Sequence, residues 1–310
     1  MVAAAFVALI CGYIVPPAFG APPPASSYQV PNSYLAGLQA QAMHPGQVPP
    51  GSNDWACRPT AEHPDPVILL HGFVSTSTLT WQTLSPSLAD EHYCVFALDY
   101  GDLGGIGGLA PIEQSSAQLG QFIRRVLAAT GAQRVDLVGH SEGATMPFYY
   151  LGHEPGAART VHRYVSLAAL NKGTTQDGFA PLIGAAFGVP GVGPQLGRFC
   201  GPCHQLLAGS RFLSDLNPHG SRYPTIDFTN IVTRYDQIAT PFTTGLLDGP
   251  NVTNIVVQQR CSADYADHLE LPSDPVAARL VLNALDPAHT GAVRCEFVAP
   301  VVGPLPPRID

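Results

Sequence analysis

Short apolar runs alternate along the chain with segments in which apolar residues recur every three or four positions. The runs are residues 66–71 (PVILLH), 93–99 (YCVFALD) and 134–139 (RVDLVG). They consist mostly of β-branched or other apolar residues, as in strands buried on both faces. Residues 111–130 carry apolar side chains at helical spacing and are followed by Gly131, a residue type that commonly ends a helix. This order of strand, helix and strand predicts a parallel sheet.

The same alternation continues toward the C-terminus. Further elements are predicted as strands in 163–169, 225–236 and 251–260 and as helices near 142–152 and 274–285. Such regular alternation is typical of an α/β domain with a mostly parallel central sheet and helices on both faces. We expect one such domain to span residues 57–310.

Two segments depart from this pattern. Residues 21–56 are rich in Pro, Ser, Gln and Gly without a sustained period, which predicts an extended N-terminal arm. Residues 170–222 contain many Gly and Pro residues and the apolar tract FAPLIGAAFGVPGVGPQLG. A loop of that length commonly has a function, so we expect either a lid-like insertion that walls an acyl-chain site or a connector packed on the surface.

The first 20 residues indicate export. An apolar run of about a dozen residues is followed by Ala18-Phe19-Gly20, a small-residue sequence suited to cleavage. Pro16 and Pro17 interrupt the run well before the length that a transmembrane helix needs. We therefore predict a signal peptide over 1–20 and a secreted protein.

Charge excludes one class of partner. Only 12% of the residues are charged, the formal net charge is −8, and Lys172 is the only lysine among the 15 basic residues. No cationic stripe is available to neutralise phosphates, so nucleic acid is not an expected partner. Contact with a lipid surface, if it occurs, has to be hydrophobic and is expected to be transient.

Six of the seven cysteines follow the predicted signal peptide, and an even number in an exported chain indicates disulfides. The sequence alone does not choose among the possible connectivities. Pairing neighbours along the chain gives our prediction of Cys57–Cys94, Cys200–Cys203 and Cys261–Cys295.

The segment CGPCH (200–204) has two further interpretations. Cys-x-x-Cys-His is the pattern of covalent haem attachment, and Cys-Gly-Pro-Cys is that of thioredoxin-like redox sites. The surrounding Gly/Pro-rich sequence predicts neither a helical domain to bury a porphyrin nor the strand and long helix of a thioredoxin site. We favour a short structural disulfide and expect no cofactor.

Ser141 is the candidate nucleophile. It lies in Gly139-His140-Ser141-Glu142-Gly143, a match to G-x-S-x-G between a predicted strand and a predicted helix. So sharp a turn needs small flanking residues and pushes the serine hydroxyl out at the carboxyl edge of the sheet. The same turn directs the backbone N–H of Glu142 toward the oxygen that becomes negative during acyl transfer.

A serine hydroxyl needs a base, and in this architecture the order along the chain is Ser, acid, His. His268 follows the predicted strand 251–260, which brings it to the same sheet edge as Ser141. His289 lies beyond the next helix and is expected at the opposite edge.

Asp236 is the candidate acid, because it terminates the strand 225–236 at that edge. Its role is to accept the imidazole N–H and to stabilise the imidazolium. The alternatives are Asp248, in a Gly/Pro turn, and Asp264 and Asp267, which we expect to shape the His268 loop.

The strand 66–71 ends in His-Gly, and the next N–H, that of Phe73, is the candidate second donor of the oxyanion hole. His71 itself is expected to be a structural hydrogen-bonding residue.

Four segments together resemble the secreted bacterial lipases and esterases of the α/β-hydrolase fold. They are DPVILLHGFVSTSTLTWQTLSPSLADEHYCVFALDYGD, VDLVGHSEGAT, TRYDQIATPFTTG and NVTNIVVQQRCSADYADHLEL, within roughly residues 55–285. The resemblance implies a Ser141–Asp236–His268 triad, an oxyanion hole from the Phe73 and Glu142 amides, and cofactor-free hydrolysis of acylglycerols or other carboxylic esters. Phe73 departs from the Thr familiar after His-Gly, and the Gly/Pro-rich segment leaves the acyl-chain preference undefined.

The sequence thus predicts a serine ester hydrolase, expected to be a monomer without a metal. Three alternatives stay open: a short-chain carboxylesterase, an acyltransferase with the same triad, and a non-catalytic lipid-binding or adhesion module.

Overall fold

A computed structural model describes residues 28–178, 193–216 and 218–305, and the structural statements below refer to these residues. The predicted signal peptide, residues 1–20, lies outside them. So does the tract 179–192 of the predicted insertion.

Six parallel strands form the central sheet. They are β1 (Val67–Leu70), β2 (Val95–Leu98), β3 (Val135–His140), β4 (Val161–Leu167), β5 (Asp227–Val232) and β6 (Val252–Val256). Their order across the sheet is β2-β1-β3-β4-β5-β6, and every neighbouring pair is parallel. The mostly parallel α/β sheet expected from the apolar runs is confirmed. Two predicted strand ends were wrong. The strand predicted over 251–260 ends at Val256, because Val257–Arg260 is helical, and the strand predicted over 225–236 ends at Val232, so Asp236 lies in the loop after it.

Helices connect these strands. They are α1 (Tyr34–Met43), α2 (Ser77–Thr80), α3 (Leu84–Asp90), α4 (Ile112–Thr130), α5 (Pro147–His153), α6 (Ala157–Thr160), α7 (Gly193–Phe199), α8 (Pro202–Gln205), α9 (Arg211–Leu216), α10 (Val257–Arg260) and α11 (Pro275–Leu285). Gly131 ends α4 in a left-handed conformation, with φ 75°, and its N–H bonds the carbonyl of Leu127. No helix in the described ranges is long and apolar enough to cross a bilayer.

The two faces of β1 explain why its sequence is continuously apolar. Ile68 and Leu70 belong to the apolar core that contains the buried residues of α4 and α5. Val67 and Leu69 belong to a second core, which contains residues of α3 and α11. Because successive strand residues point to opposite faces, a strand covered by helices on both sides needs an apolar residue at every position.

The composition of the N-terminal arm predicts an extended segment, but part of the arm, Tyr34–Met43, is helical. Ser33 caps α1 by accepting a hydrogen bond from the N–H of Leu35. Gly37 is buried against α2, where a Cβ on Gly37 would lie 2.0 Å from the carbonyl oxygen of Leu79. The helix therefore forms through tertiary packing, which the arm's sequence pattern does not reveal.

Farther along the arm, Asn53 pairs with the edge strand β2. Its N–H donates to the carbonyl of Val95 (2.8 Å), its side-chain amide donates to the carbonyl of Ala97 (3.0 Å), and its Oδ1 accepts from the Ala97 N–H (2.8 Å). The arm thus occupies hydrogen-bonding groups that an edge strand otherwise leaves open.

The described part of the predicted insertion packs against the domain. The N–H of Gly201 donates to the carbonyl of Leu109 (2.9 Å), and the N–H of Ile112 donates to Oε1 of Gln205 (3.0 Å). Leu206 and Leu207 are buried. Residues 201–207 are therefore packed against the domain. The lid role expected of the insertion 170–222 stays a prediction, and its tract 179–192 lies outside the described residues.

Three disulfides join Cys57 to Cys94, Cys200 to Cys203 and Cys261 to Cys295. The first links the end of the arm to the start of β2. The third links the region after α10 to the C-terminal segment, in which Val298–Ala299 and Gly303–Pro304 pair antiparallel as β7 and β8.

A group of buried carboxyl groups lies in the loop between α10 and α11. Asp264, Glu270 and Asp274 have no measurable exposure. Burial raises the pKa of Glu270 to about 8, and burial together with the neighbouring Asp264 raises that of Asp274 well above its usual range. Asp274 caps α11 by accepting hydrogen bonds from the N–H groups of Val276 and Ala277. The loop is therefore held partly by carboxyl groups whose neutral form the fold favours.

Replacing Gly37 with Ala should destabilise the protein, because the new methyl group would collide with the backbone of Leu79. Overpacking of this kind typically costs about 1–3 kcal/mol. Urea denaturation of the two proteins measures the loss. Gly197→Ala in α7 is the matched control, because a Cβ there meets nothing within 4 Å. Equal loss in both variants would contradict the close contact at Gly37.

Glu270 should make stability fall as the pH rises. A carboxyl whose pKa rises from 4.5 unfolded to about 8 folded stabilises the fold fully below about pH 4.5 and loses that contribution toward pH 8. The side chain in Glu270→Gln is neutral at every pH. Between pH 5 and 8 the free energy of unfolding of this variant should therefore fall by on the order of 1–3 kcal/mol less than that of the wild type. Urea denaturation across that range tests this, with the exposed Glu62→Gln as control. Identical pH dependence in wild type and Glu270→Gln would refute it.

Candidate active site

The carboxyl ends of four strands meet at one edge of the sheet. β1 is followed by His71-Gly72-Phe73, and β3 leads directly into Ser141. Asp236 follows β5, and His268 follows β6 and α10. Since all these strands are parallel, their following loops emerge on the same side, which is where ligands bind in open α/β sheets.

Ser141 occupies a strained turn between β3 and the next helical segment. Its φ is +57°, in the left-handed region that side chains rarely adopt. A Cβ on Gly139 would lie 2.1 Å from the carbonyl oxygen of Gly143, and one on Gly143 would lie 2.3 Å from that of His71. Only glycine fits at both positions. The helix predicted at 142–152 begins as a 3₁₀ turn over Ser141–Ala144 and becomes α-helical only at Pro147.

Ser141, His268 and Asp236 form a continuous hydrogen-bonded chain. Nε2 of His268 lies 2.9 Å from Oγ of Ser141, and Nδ1 lies 2.8 Å from Oδ2 of Asp236. All three residues are buried. The distances are those at which an imidazole accepts the serine proton while a carboxylate fixes its tautomer.

Asp236 is itself held in place by the backbone. Its Oδ1 accepts hydrogen bonds from the N–H groups of Ile238 (2.9 Å) and Ala239 (2.6 Å). These bonds leave Oδ2 directed at the imidazole. The carboxylate orientation is therefore set before any substrate binds.

The alternative acids and base have other contacts. Asp264 accepts from the N–H of Ala266, and Asp267 accepts from the N–H of Glu270 and from the amide of Gln237. Asp248 is exposed in its turn. The imidazole of His289 contacts Asp286, at an exposed position. The structure brings none of them to the Ser141 hydroxyl.

The loop after β1 lies directly against the serine. A Cβ on Gly72 would be 3.1 Å from Cβ of Ser141. His71 contacts the Gly72 carbonyl through Nδ1 (2.8 Å), and its own carbonyl accepts the hydroxyl of Tyr100 (2.5 Å). Burial lowers the pKa of His71, so the ring is a neutral hydrogen-bonding group that fixes this loop. Phe73 follows at the rim and is 39% exposed.

Glu142 contributes more than the backbone N–H for which the sequence singled it out. Its side chain is fully buried, and neither carboxyl oxygen has a hydrogen-bond partner among the described residues. Burial raises its pKa well above the usual range. A neutral carboxylic acid therefore lies next to Ser141 and adds no negative charge beside its hydroxyl.

A cavity of about 420 Å³ opens beside Ser141 and His268. Most of its wall is apolar: Phe73, Val74, Leu170, Pro202, Leu206, Leu207, Ile238, Leu269 and Pro272. The polar wall residues include Tyr34, Ser75, Thr80, Thr174 and Gln176. Nothing in the composition of the arm links Tyr34 to the sheet edge, so its place in this wall could not be predicted from the sequence.

Among the described residues, one group of side chains has the geometry to hold a cation. Asp65, Asp136 and His162 present oxygen or nitrogen atoms within 4.8 Å of one another. They lie where β1, β3 and β4 begin, at the edge opposite Ser141. Arg134 and Arg163 approach the same carboxylates at 3.6 and 3.8 Å. Arg134 pairs with Asp65, and burial raises the pKa of Asp136 to about 8 even beside Arg163, so the cluster is accounted for by these contacts and offers no pair of free carboxylate charges.

Comparison with known proteins places this geometry in a family. Residues 64–280 match the family described as Lipase (class 2). The structure is similar to Aspergillus fumigatus lipase B, with 18% identity and a TM-score of 0.59 over 80% of this chain and 57% of that one. It is also similar to Bacillus licheniformis lipase BlEst2 in its propeptide form, with 15% identity and a TM-score of 0.51 over 82% of this chain and 54% of that one.

These similarities establish the α/β-hydrolase fold, and the chain spans a little over half the length of each of the two solved chains. The family match extends from just before β1 to the middle of α11 and includes Ser141, Asp236 and His268. Because that match covers more than half of the sequence, the chain belongs to the class 2 lipase family.

Proposed function

We propose that this protein is an exported serine hydrolase that cleaves carboxylic esters, with acylglycerols as the favoured class. The observation that carries the proposal is the hydrogen-bonded series from Ser141 Oγ through His268 to Asp236, with distances of 2.9 and 2.8 Å, beside an apolar cavity. Membership in the class 2 lipase family supports the same chemistry.

In the first half-reaction, His268 accepts the proton of Ser141 as Oγ attacks the ester carbonyl carbon. Asp236 stabilises the imidazolium that forms and keeps Nδ1 protonated. The C–O bond to the alcohol then breaks, and Nε2 of His268 returns its proton to the leaving oxygen. The products are a free alcohol and an acyl group bonded to Ser141.

The oxyanion formed during attack needs two donors, for which the N–H groups of Phe73 and Glu142 are proposed. The Gly72 loop lies against Ser141, and the Glu142 N–H follows the serine directly. The loss of one such donor typically costs about 100-fold or more in turnover. The neutral Glu142 side chain leaves the attraction between these donors and the oxyanion undiminished.

In the second half-reaction, water takes the place of the alcohol. His268 removes a proton from the water as the water oxygen attacks the acyl carbonyl. The bond from the acyl carbon to Ser141 Oγ then breaks, Nε2 of His268 returns the proton to Oγ, and the carboxylic acid leaves. The apolar cavity wall favours an acyl chain as the group bound to Ser141 between the two half-reactions, since burial of each methylene contributes about 0.8 kcal/mol to binding.

Export is supported by the three disulfides, which persist in oxidising compartments. Together with the predicted signal peptide, they favour a site of action outside the cytosol.

Ser141→Ala should abolish hydrolysis of nitrophenyl butyrate and of emulsified tributyrin while leaving the thermal unfolding midpoint nearly unchanged. The variant removes only the attacking oxygen. Ester hydrolysis followed by pH titration measures the loss, and Ser262→Ala, at an exposed position, is the matched control. Wild-type rates in the Ser141 variant would overturn the proposal.

Asp236→Asn should lower kcat by about 10³–10⁴-fold, because an amide no longer favours the tautomer that places the imidazole lone pair at Ser141. KM for a short nitrophenyl ester should change little. Asp248→Asn, at the exposed alternative acid, should keep wild-type kcat. If the Asp248 variant were the inactive one, the assignment of the acid would be wrong.

A further inference from the structure

The first residue of α1 reaches the proposed active site. Tyr34 lines the same cavity as Ser141 and His268, although it lies in the N-terminal arm and outside the matched family region. Its side chain is partly buried. Burial and the nearby Asp267 raise the pKa of its phenol, so the ring carries no charge near neutral pH.

The helix that carries Tyr34 is fixed at three points. Its N-terminus is held where the N–H of Tyr34 donates to Oε2 of Glu270 (2.9 Å). Its middle is held by the packing of Gly37 on Leu79. Near its C-terminus, Gln41 Oε1 accepts the hydroxyl hydrogen of Thr76 (2.6 Å). Tyr34 is therefore a fixed part of the cavity wall.

The contact with Glu270 also defines which wall this is. Glu270 belongs to the loop that carries His268, and Leu269 and Pro272 of that loop line the cavity as well. Nε2 of His268 donates a proton to the departing alkoxide. The alcohol portion of an ester therefore has to lie on the side of the cavity that the His268 loop forms.

The acyl portion of the ester does not leave with the alcohol, because it stays bonded to Ser141 until water attacks. Leu206 and Leu207 provide an apolar surface from a separate segment, which is bonded to the Leu109–Ile112 region rather than to the His268 loop. The cavity wall is thus built from two separate parts of the chain, the N-terminal arm with the His268 loop and residues 202–207.

We propose that Tyr34 is a specificity-determining residue for the alcohol portion of the substrate, and that the N-terminal arm forms the alcohol side of the cavity. This inference rests on the proposed ester hydrolysis. The aromatic ring limits the width of that side and so favours esters of small or unbranched alcohols over bulky ones.

Two ester series test this with purified full-length protein. One varies the alcohol at constant acid, with ethyl and cyclohexyl butyrate. The other varies the acid at constant alcohol, with ethyl butyrate and ethyl octanoate. In Tyr34→Ala, the ratio of kcat/KM for cyclohexyl to ethyl butyrate should rise by about 10-fold, the size expected when a pocket wall is cut back. The octanoate to butyrate ratio should stay within about 2-fold of wild type.

Tyr34→Phe should keep both wild-type ratios, because it retains the ring. If Tyr34→Ala is unstable, Tyr34→Leu takes its place as the variant without the ring, and Tyr34→Phe serves as the folded reference. Leu38→Ala is the matched control on the exposed face of the same helix. An unchanged alcohol ratio on removing the ring, or a shift in the acyl ratio of equal size, would overturn the role of Tyr34. Failure of the wild type to hydrolyse any of these esters would instead overturn the proposed function.

Discussion

The close backbone approach between the end of β3 and the turn after it is the constraint on which the site depends. Gly139 and Gly143 have no room for a side chain, and Ser141 between them is held at a positive φ. A residue in such a conformation costs on the order of 1–3 kcal/mol and persists only where its surroundings determine it. Those surroundings are the fully buried strands β1 and β3, which fix the turn from both sides. An apolar part of the fold therefore maintains the positive φ of Ser141.

Around this turn, distant loops are held by polar contacts that have little water access. Backbone N–H groups orient Asp236, and the neutral His71 secures the loop beside the serine. Glu142, Glu270 and Asp274 are buried carboxyl groups whose neutral form the fold favours. Low dielectric surroundings strengthen these hydrogen bonds and make an unpaired charge costly, so the site combines one hydrogen-bonded carboxylate, Asp236, with several neutral acids.

The sequence predicted the sheet well because β1, β2 and β3 are buried on both faces, which leaves continuous apolar runs in the sequence. Ser141, Asp236 and His268 could be proposed together because each follows a strand of the same parallel sheet. The helix at Tyr34 could not be predicted, since its stability comes from contacts with Leu79 and Glu270, far away in sequence. The neutral state of Glu142 could not be predicted for the same reason. It results from burial by segments that are distant in sequence, which the neighbouring residues along the chain do not reveal.

The pairing of Asn53 with β2 has a practical consequence for handling the protein. Shortening the N-terminus past this residue would uncover an unpaired strand edge, which is a template for association between molecules. The same truncation would remove one wall of the cavity. A single truncation would therefore both lower solubility and alter substrate preference, so the folded unit has to be taken to include the arm.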